Sequence, residues 1–395
     1  MGMAGPLILV ANPGSASRKY ALFKDGQEHA SLHFEHENGA VICTLRYGQE
    51  SRAVDTREAT LETAAASVAP LLRQYGITGS DTVSRIGLRI VAPSNYFLEH
   101  REITEEVTAA LHHIQPRAPL HVTATLQELD ALHEAFPNAR IFGASDSAFH
   151  KTKPDYAWNY GISLADADRF ELKRFGYHGL SVASVVQTLT AAGKLPPRLI
   201  VAHIGSGVSV TAVRGGRSLD TTMGYSPLEG PIMATRSGNL DITAAHALQD
   251  AMHLNNAALA DYLHTASGLE GLGGSSDIRE LLRREASGDH RATLALQTYV
   301  FSLQKAIGQM VAALGGADML VFTGTVGERS APIRERILTH LHYLDFFLAP
   351  KSNNACSNPD EPVLISRLAQ SKPIMVVPAN EAAQIALTVQ HAQNL

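Results

Sequence analysis

The pattern of apolar and polar positions along the chain contains one design twice. The apolar runs 7–11 and 199–202 each enter a turn of small residues, and an alternating run then leads to a second tight turn. This pattern is typical of strand, turn and strand. The aligned pairs are Asn12 with His203, Gly14 with Gly205, Ser15 with Ser206, and Asp25-Gly26 with Gly215-Gly216. Two such hairpins, about half a chain apart, predict a duplicated domain.

The remaining pattern predicts alternating helices and strands. Residues 7–50 are expected to form successive short strands, and further strands are expected at 86–92, 139–143, 199–213 and 319–322. Helices are expected at 57–74, 105–113, 121–133, 243–254, 278–286 and 291–314, with a last helix from Glu381. Strands followed by alternating helices and strands indicate an α/β fold with mixed sheets.

Length and composition narrow the class of protein. A chain of 395 residues favours two domains, and we expect the first crossing at residues 151–154. The net charge of −5 argues against a nucleic-acid partner. No apolar run has the length of a membrane span, and the N-terminus lacks a signal-peptide pattern. Cys43 and Cys356 form no metal or redox motif, which fits a reducing cytoplasm.

Candidate chemistry comes from polar residues in apolar or small-residue surroundings. The turn containing Gly205, Ser206 and Gly207 would point backbone N–H groups at a phosphate oxygen. Each of the other candidate residues, taken singly, has an ordinary structural explanation, such as a strand-end ion pair, a helix cap or a place in a surface loop. The set consists of Asn12, Arg89, His121, Asp146, His178, His203 and Arg236. Together these cations, neutral donors and a carboxylate are the inventory of phosphoryl transfer with Mg²⁺.

Several short motifs occur in a fixed order. They are N-x-G-S-x-S at 12–17, R-I-V at 89–91, A-P-L-H at 118–121, D-S-A-F-H at 146–150, Y-H-G at 177–179, P-L-E-G at 227–230, T-R-S-G at 235–238, S-S-D-x-R at 275–279 and N-E-A at 380–382. With them, the chain resembles the acetate kinase family, which includes propionate kinases, over essentially its whole length.

The resemblance implies the duplicated actin-like ATPase fold of sugar kinases, hsp70 and actin, with two related domains around a cleft. The expected domains are residues 1–150, joined by 382–395, and residues 151–381. The implied activity is reversible phosphoryl transfer between ATP and a short carboxylic acid, which gives an acyl phosphate. Mg²⁺, with Mn²⁺ as a substitute, and ATP or ADP are the implied cofactor and co-substrates. A cytoplasmic homodimer with no membrane partner is also implied.

The resemblance also assigns roles to residues. Asn12, Asp146 and Glu381 would organise Mg²⁺, and Arg89 and Arg236 would hold the carboxylate and the transferring phosphoryl group. His178 would donate to that group, and His121 would support the acyl-phosphate geometry. The acyl pocket would be walled by Val91, Leu120, Tyr177 and Pro227. The nucleotide would be bound by Ser17, His203, Gly205, Ser206, Gly207, Asp277, Arg279, Gly324, Thr325 and Gly327.

Departures from the family pattern leave the donor and the acceptor open. Ser206 replaces an Asn, Tyr177 replaces a Phe, Thr325 replaces a Gly and Arg329 replaces an Asn. The β-branched Thr325 fills space where the backbone would approach the nucleoside, so ATP use is expected to be altered, with another nucleotide or pyrophosphate as the alternative donor. Acetate is the first expected acceptor. The alternatives are propionate, another small carboxylate, or a sensor that binds a metabolite without turnover.

Overall fold

The structure is a computed structural model that describes residues 7–14, 17–37, 40–48, 50–54, 56, 60–78, 83–367 and 369–392. Only the backbone is described for His36, Glu37 and Leu120, and the motif residue Ser15 lies outside the described residues. The chain divides into two compact units. The first contains Met1–Ala148 and Asn380–Leu395, and the second contains Phe149–Ala379.

Strands and helices follow one another in blocks along the chain. The strands are β1 (Leu7–Pro13), β2 (Ser17–Lys24), β3 (Gln27–Glu37), β4 (Ala40–Tyr47), β5 (Glu50–Val54), β6 (Val83–Ile90), β7 (Arg101–Glu102), β8 (Arg140–Ser145), β9 (Arg198–Ile204), β10 (Val208–Arg214), β11 (Arg217–Thr221), β12 (Met319–Thr323), β13 (Val363–Leu364) and β14 (Ile374–Val376). The helices are α1 (Ala64–Gln74), α2 (Glu105–Ile114), α3 (Pro119–Ala135), α4 (Asp155–Trp158), α5 (Leu164–Arg169), α6 (Gly179–Ala191), α7 (Ile242–Ala251), α8 (Asn256–Thr265), α9 (Gly268–Gly273), α10 (Ile278–Ala286), α11 (His290–Leu314), α12 (Gly324–Arg329), α13 (Ala331–Leu338), α14 (Pro350–Ala355) and α15 (Glu381–His391).

Each unit is built on one mixed sheet. In the first unit the strand order is β5-β4-β3-β2-β1-β6-β8-β7, and in the second it is β11-β10-β9-β12-β14-β13. β1 and β9 are each antiparallel to the next strand and parallel to a later one. The apolar runs 7–11 of β1 and 199–202 of β9 are buried, as expected where both faces of a sheet are covered. The predicted α/β class with mixed sheets is confirmed.

The internal repeat is visible in the sheets. The segment β3-β2-β1-β6-β8 has the same order and the same strand directions as β11-β10-β9-β12-β14. The turns after β2 and β10 also match: φ is 51° and 78° at Asp25 and Gly26, and 54° and 81° at Gly215 and Gly216. Two successive positive φ values are what a two-residue hairpin turn requires. The repeat seen in the sequence is therefore a repeat of topology.

Some element boundaries differ from those expected. The helix expected from residue 57 begins at Ala64, because the Thr60 N–H donates to Thr63 Oγ1 at 2.8 Å in a turn before it. The strand expected at 86–92 is Val83–Ile90 and ends before Pro93, which has no N–H to donate. α15 packs against β1, β6 and β8 in the first unit. Within the described residues, no helix has the length and apolarity of a transmembrane segment.

Candidate active site

In the first unit, polar residues gather at the carboxyl ends of the parallel strands. Asn12 is near the end of β1, Arg89 is near the end of β6, Asp146 directly follows β8, and Glu381 opens α15. Asn12 Nδ2 donates to Glu381 Oε2 at 2.8 Å, and Arg89 Nη1 donates to Asn12 Oδ1 at 3.3 Å. Arg89 Nη2 donates to Asp146 Oδ2 at 2.8 Å. The carboxyl ends of strands are where open α/β sheets bind ligands.

Arg89 is the cation that offsets the carboxylates of Asp146 and Glu381 in this group. Burial alone would lower the pKa of its guanidinium, but the carboxylates of Asp146 and Glu381 outweigh burial and raise the pKa. The Asp146 side chain is fully buried, and that of Arg89 is 16% exposed. The arginine is therefore held as a fixed cation with one face partly open.

The other predicted residues of this unit lie on neighbouring elements. Val91 follows β6, and the half-buried His121 lies in the first turn of α3. Ser17 begins β2, and its carbonyl accepts from the Gly14 N–H at 2.8 Å. The side chain of Leu120 lies outside the described part of the structure, so its place in an acyl pocket stays a prediction.

In the second unit, two histidines stack. The rings of His178 and His203 have centroids 4.1 Å apart and planes inclined by 31°. His178 Nδ1 is 3.1 Å from Ser209 Oγ, and His203 Nδ1 is 2.8 Å from Ser181 Oγ. His178 has a φ of 58° just before α6, a conformation that non-glycine residues adopt mainly where their surroundings enforce it. Each imidazole ring is therefore held by a serine hydroxyl at its Nδ1 atom.

The Arg236 guanidinium and the His178 imidazole both lie beside Gly207. A Cβ on Gly207 would lie 3.1 Å from His178 Nε2 and 3.3 Å from Arg236 Nη1. Gly205 donates to the Gly207 carbonyl at 2.9 Å, which closes the predicted turn, and the Ser206 side chain is exposed at its tip. The turn, an imidazole and a guanidinium are thus grouped within this unit, an arrangement suited to an anion.

The N-terminus of α12, which contains the predicted nucleotide-binding residues Gly324, Thr325 and Gly327, packs against His203. Gly324 has a φ of 80°, and a Cβ there would lie 3.1 Å from His203 Nε2. Gly324 N–H donates to Glu328 Oε1 at 2.8 Å, and the Ala379 N–H donates to the same oxygen at 3.0 Å. Thr325 is exposed in the first turn of α12, and Gly327 is buried in that helix. Because Thr325 lies within a helix, its β-branched side chain does not strain the backbone, and its bulk is what distinguishes it from a glycine.

Two pairs of predicted residues have well-defined local contacts. Tyr177 Oη donates to the Tyr225 carbonyl at 2.6 Å, and the Pro227 carbonyl accepts from Arg236 Nη1 at 3.1 Å. Asp277 caps α10 by accepting from the Arg279 N–H at 2.8 Å, and it pairs with the Arg279 guanidinium. The Arg279 side chain is 90% exposed. The hydroxyl that distinguishes Tyr177 from a phenylalanine therefore already has a partner.

Several residues of this region were not predicted from sequence. Ser181 and Ser209 hold the histidines, Glu328 accepts from the Gly324 N–H at the start of α12, and the buried Arg334 donates to the carbonyls of Gly327 and Glu328. Ser209 had a signal, since it is a polar residue in an otherwise apolar run. An arginine in an amphipathic helix such as α13 has no sequence signal that separates it from a surface residue.

Comparison with known proteins identifies the family of the chain. The profile of the acetokinase family matches residues 7–387. The acetate kinase of Bacillus cytotoxicus is 33% identical over 396 residues, which cover 98% of this chain and 99% of that protein.

Solved structures give the same result. The acetate kinase of Porphyromonas gingivalis superposes with a TM-score of 0.85 at 31% identity, covering 98% of this chain and 100% of that one. A propionate kinase from Francisella tularensis superposes with a TM-score of 0.88 at 28% identity and the same coverage. The chain belongs to the acetokinase family.

Proposed function

We propose that this protein is a short-chain acyl kinase that transfers the γ-phosphoryl group of ATP to acetate, with propionate as the second acceptor. The supporting observation is that His178 Nε2 and Arg236 Nη1 both lie within 3.3 Å of the position that a Cβ on Gly207 would take. Relatives named acetate kinase and propionate kinase support the choice of acceptor.

The chemistry needs no covalent intermediate on the protein. A carboxylate oxygen of the acid attacks the γ-phosphorus, and the bond from that phosphorus to the β–γ bridging oxygen breaks, releasing ADP. Arg236 and His178 donate to the phosphoryl oxygens as their charge rearranges, and Arg89 binds the acceptor carboxylate. Fixed donors of this kind are worth on the order of 10²–10³ in rate each. The protein therefore acts by positioning and charge.

A divalent ion fits the first unit by donor chemistry. Asn12, Asp146 and Glu381 offer one amide oxygen and two carboxylates, which are the ligands that Mg²⁺ prefers. Among the described residues, no group of three or more His, Cys, Asp or Glu is placed to hold a metal. We therefore propose Mg²⁺ carried largely by substrate phosphates and water, with Asn12, Asp146 and Glu381 orienting it. When bound, it would neutralise phosphate charge.

The acceptor and the oligomeric state rest on family resemblance. We propose a homodimer that acts in the cytoplasm, as the resemblance implies. The Tyr177 hydroxyl is tied to the Tyr225 carbonyl, so the ring supplies the apolar wall beside Pro227. An apolar wall accepts a methyl or an ethyl group and offers no selection for hydroxylated acids.

The deciding experiment is a hydroxamate assay for acyl phosphate. The protein, Mg²⁺ and ATP are incubated with acetate, propionate or butyrate, and we expect the highest kcat/KM with acetate. The absence of acyl phosphate with every acid and with ATP, GTP and pyrophosphate as donors would reject the proposal. Saturable binding of an acid without turnover would instead identify a sensor.

A further inference from the structure

The segment 223–230 supports two residues of the proposed site by its backbone. The Tyr225 carbonyl accepts from Tyr177 Oη at 2.6 Å, and the Pro227 carbonyl accepts from Arg236 Nη1 at 3.1 Å. These acceptors are two residues apart on one short stretch without helix or strand. A shift of this stretch would therefore move the aromatic wall and the guanidinium together.

Tyr160 fixes the same stretch from the other side. The Tyr225 N–H donates to Tyr160 Oη at 2.8 Å, and Tyr160 Oη in turn donates to Glu229 Oε2. Glu229 also accepts from Arg174 Nη1 through its other oxygen. The Tyr160 hydroxyl thus holds the backbone at Tyr225 and the side chain of Glu229 at once.

Tyr160 and Glu229 both lie close to the backbone of Gly224. A Cβ on Gly224 would be 2.4 Å from Tyr160 Oη and 1.8 Å from Glu229 Oε2, closer than real Cβ contacts occur. The Gly224 carbonyl accepts from the Gly176 N–H at 3.1 Å, one residue before Tyr177. The side chains of Tyr160 and Glu229 therefore pack directly against the backbone at Gly224, the residue before Tyr225.

We propose that Tyr160 is a positioning residue that sets the width of the acyl pocket, and with it the chain length of the acid, through Tyr225. This inference rests on the proposed function, because Tyr177 and Arg236 are assigned there. Tyr160 acts through the backbone at Tyr225, which lies between it and the Tyr177 hydroxyl. A misplacement of about 1 Å at a reacting group costs about 10²-fold in rate, so the loss of one hydroxyl is enough to be measured.

The test is Tyr160→Phe, which removes the hydroxyl and keeps the ring. We expect kcat/KM for acetate to fall by about 10- to 100-fold and the ratio of propionate to acetate turnover to change, while the KM for ATP stays as in the wild type. The matched control is Tyr156→Phe, because Tyr156 is 80% exposed in α4. The control is expected to match the wild type in every measurement.

Hydrogen exchange gives a readout that does not depend on activity. The peptide containing Tyr225 is expected to exchange faster in Tyr160→Phe and at the wild-type rate in Tyr156→Phe. Should Tyr160→Phe fail to fold, Glu229→Gln retains an acceptor for the Tyr160 hydroxyl and is expected to give smaller changes of the same sign. Unchanged exchange together with an unchanged acid ratio in a folded variant overturns the inference.

The two proposals fail in different ways. If the wild type makes no acyl phosphate, the proposed function fails, and the support of Tyr225 by Tyr160 is still decided by exchange. A second outcome is that the wild type is active while Tyr160→Phe lowers the turnover of every acid by the same factor and also weakens ATP binding. In that case the proposed role of Tyr160 in acid selection is wrong. A changed acid ratio with an unchanged KM for ATP supports it.

Discussion

Arg89 Nη2 lies 2.8 Å from Asp146 Oδ2, at the ends of the neighbouring parallel strands β6 and β8. The Asp146 side chain is fully buried, so its charge is compensated chiefly by this arginine. Breaking one partner of a buried ion pair leaves the other charge without compensation in a poorly solvated place. The pair therefore belongs to the stability of the first unit as well as to its proposed role in holding Mg²⁺.

Asp146→Asn is expected to destabilise the protein by about 3–5 kcal/mol, because it removes the negative partner of a buried guanidinium. The midpoint of urea unfolding and the Mg²⁺ concentration for half-maximal activity measure the two effects. Asp130→Asn is the control, since Asp130 is exposed on α3 and should change stability by less than about 0.5 kcal/mol. An unchanged midpoint for Asp146→Asn would show that the pair is not structural.

Arg236→Ala should lower kcat by on the order of 10²–10⁵, because it removes the cation that we propose donates to the transferring phosphoryl group. Initial rates in the hydroxamate assay measure it. Arg283→Ala, on the exposed face of α10, is the control and should keep the wild-type rate. A near-normal rate for Arg236→Ala would contradict the assignment of this residue.

Arg334 is expected to fix α12, which contains the predicted nucleotide-binding residues Gly324, Thr325 and Gly327. Its guanidinium is fully buried and donates to Asn353 Oδ1 and to the carbonyls of Gly327, Glu328, Asn353 and Cys356, at 2.7–3.0 Å. Arg334→Lys has fewer donors on a compact ammonium, so we expect a loss of about 2–5 kcal/mol and a raised KM for ATP.

The control for Arg334 lies on the same helix. Arg336 pairs with Glu285 and is 36% exposed, so Arg336→Lys should cost about 0–1 kcal/mol. Urea unfolding of both variants, with ATP titration, makes the comparison. Equal losses of stability in the two variants would mean that the burial of Arg334 does not increase its contribution to stability.

Thr325→Gly should lower the KM for ATP if the bulk of Thr325 restricts the nucleoside, since the side chain is exposed in the first turn of α12. Glycine lies only about 0.3 kcal/mol below threonine in helix propensity, so a small loss of stability is expected as well. A panel of ATP, GTP and pyrophosphate measures the donor preference, and Thr325→Ser is the graded control. Normal ATP saturation in the wild type would reject an altered donor.

His264 should make stability depend on pH. Burial, with a contribution from the Arg236 charge, lowers its pKa from 6.5 to about 4. The unfolded chain therefore binds a proton between these values that the folded chain does not, and stability should fall as the pH drops from 6.5 to 4. Thermal unfolding across this range should show a shallower fall in His264→Gln, whereas the exposed His290→Gln should follow the wild type. Identical slopes in all three would exclude His264 as a cause.

The sequence by itself determined the features that depend on local pattern. The apolar runs before Asn12 and His203, the alternating runs that follow, and the two-residue turns at Asp25-Gly26 and Gly215-Gly216 specified both hairpins and their repetition. The family motifs identified the acetokinase family and the α/β fold. Local periodicity suffices there, because strands, turns and motifs are properties of neighbouring residues.

Only the tertiary structure decided the contacts between residues distant in sequence. Asn12 meets Glu381 across 369 positions because β1 and α15 pack together, and His178 is held by Ser209 because α6 follows a turn beside β10. Arg334 is buried because the end of α12 and α14 supply carbonyls around it. Such pairings follow from strand order and helix packing, which no local period encodes, so a buried polar partner is found only once the fold has brought it near.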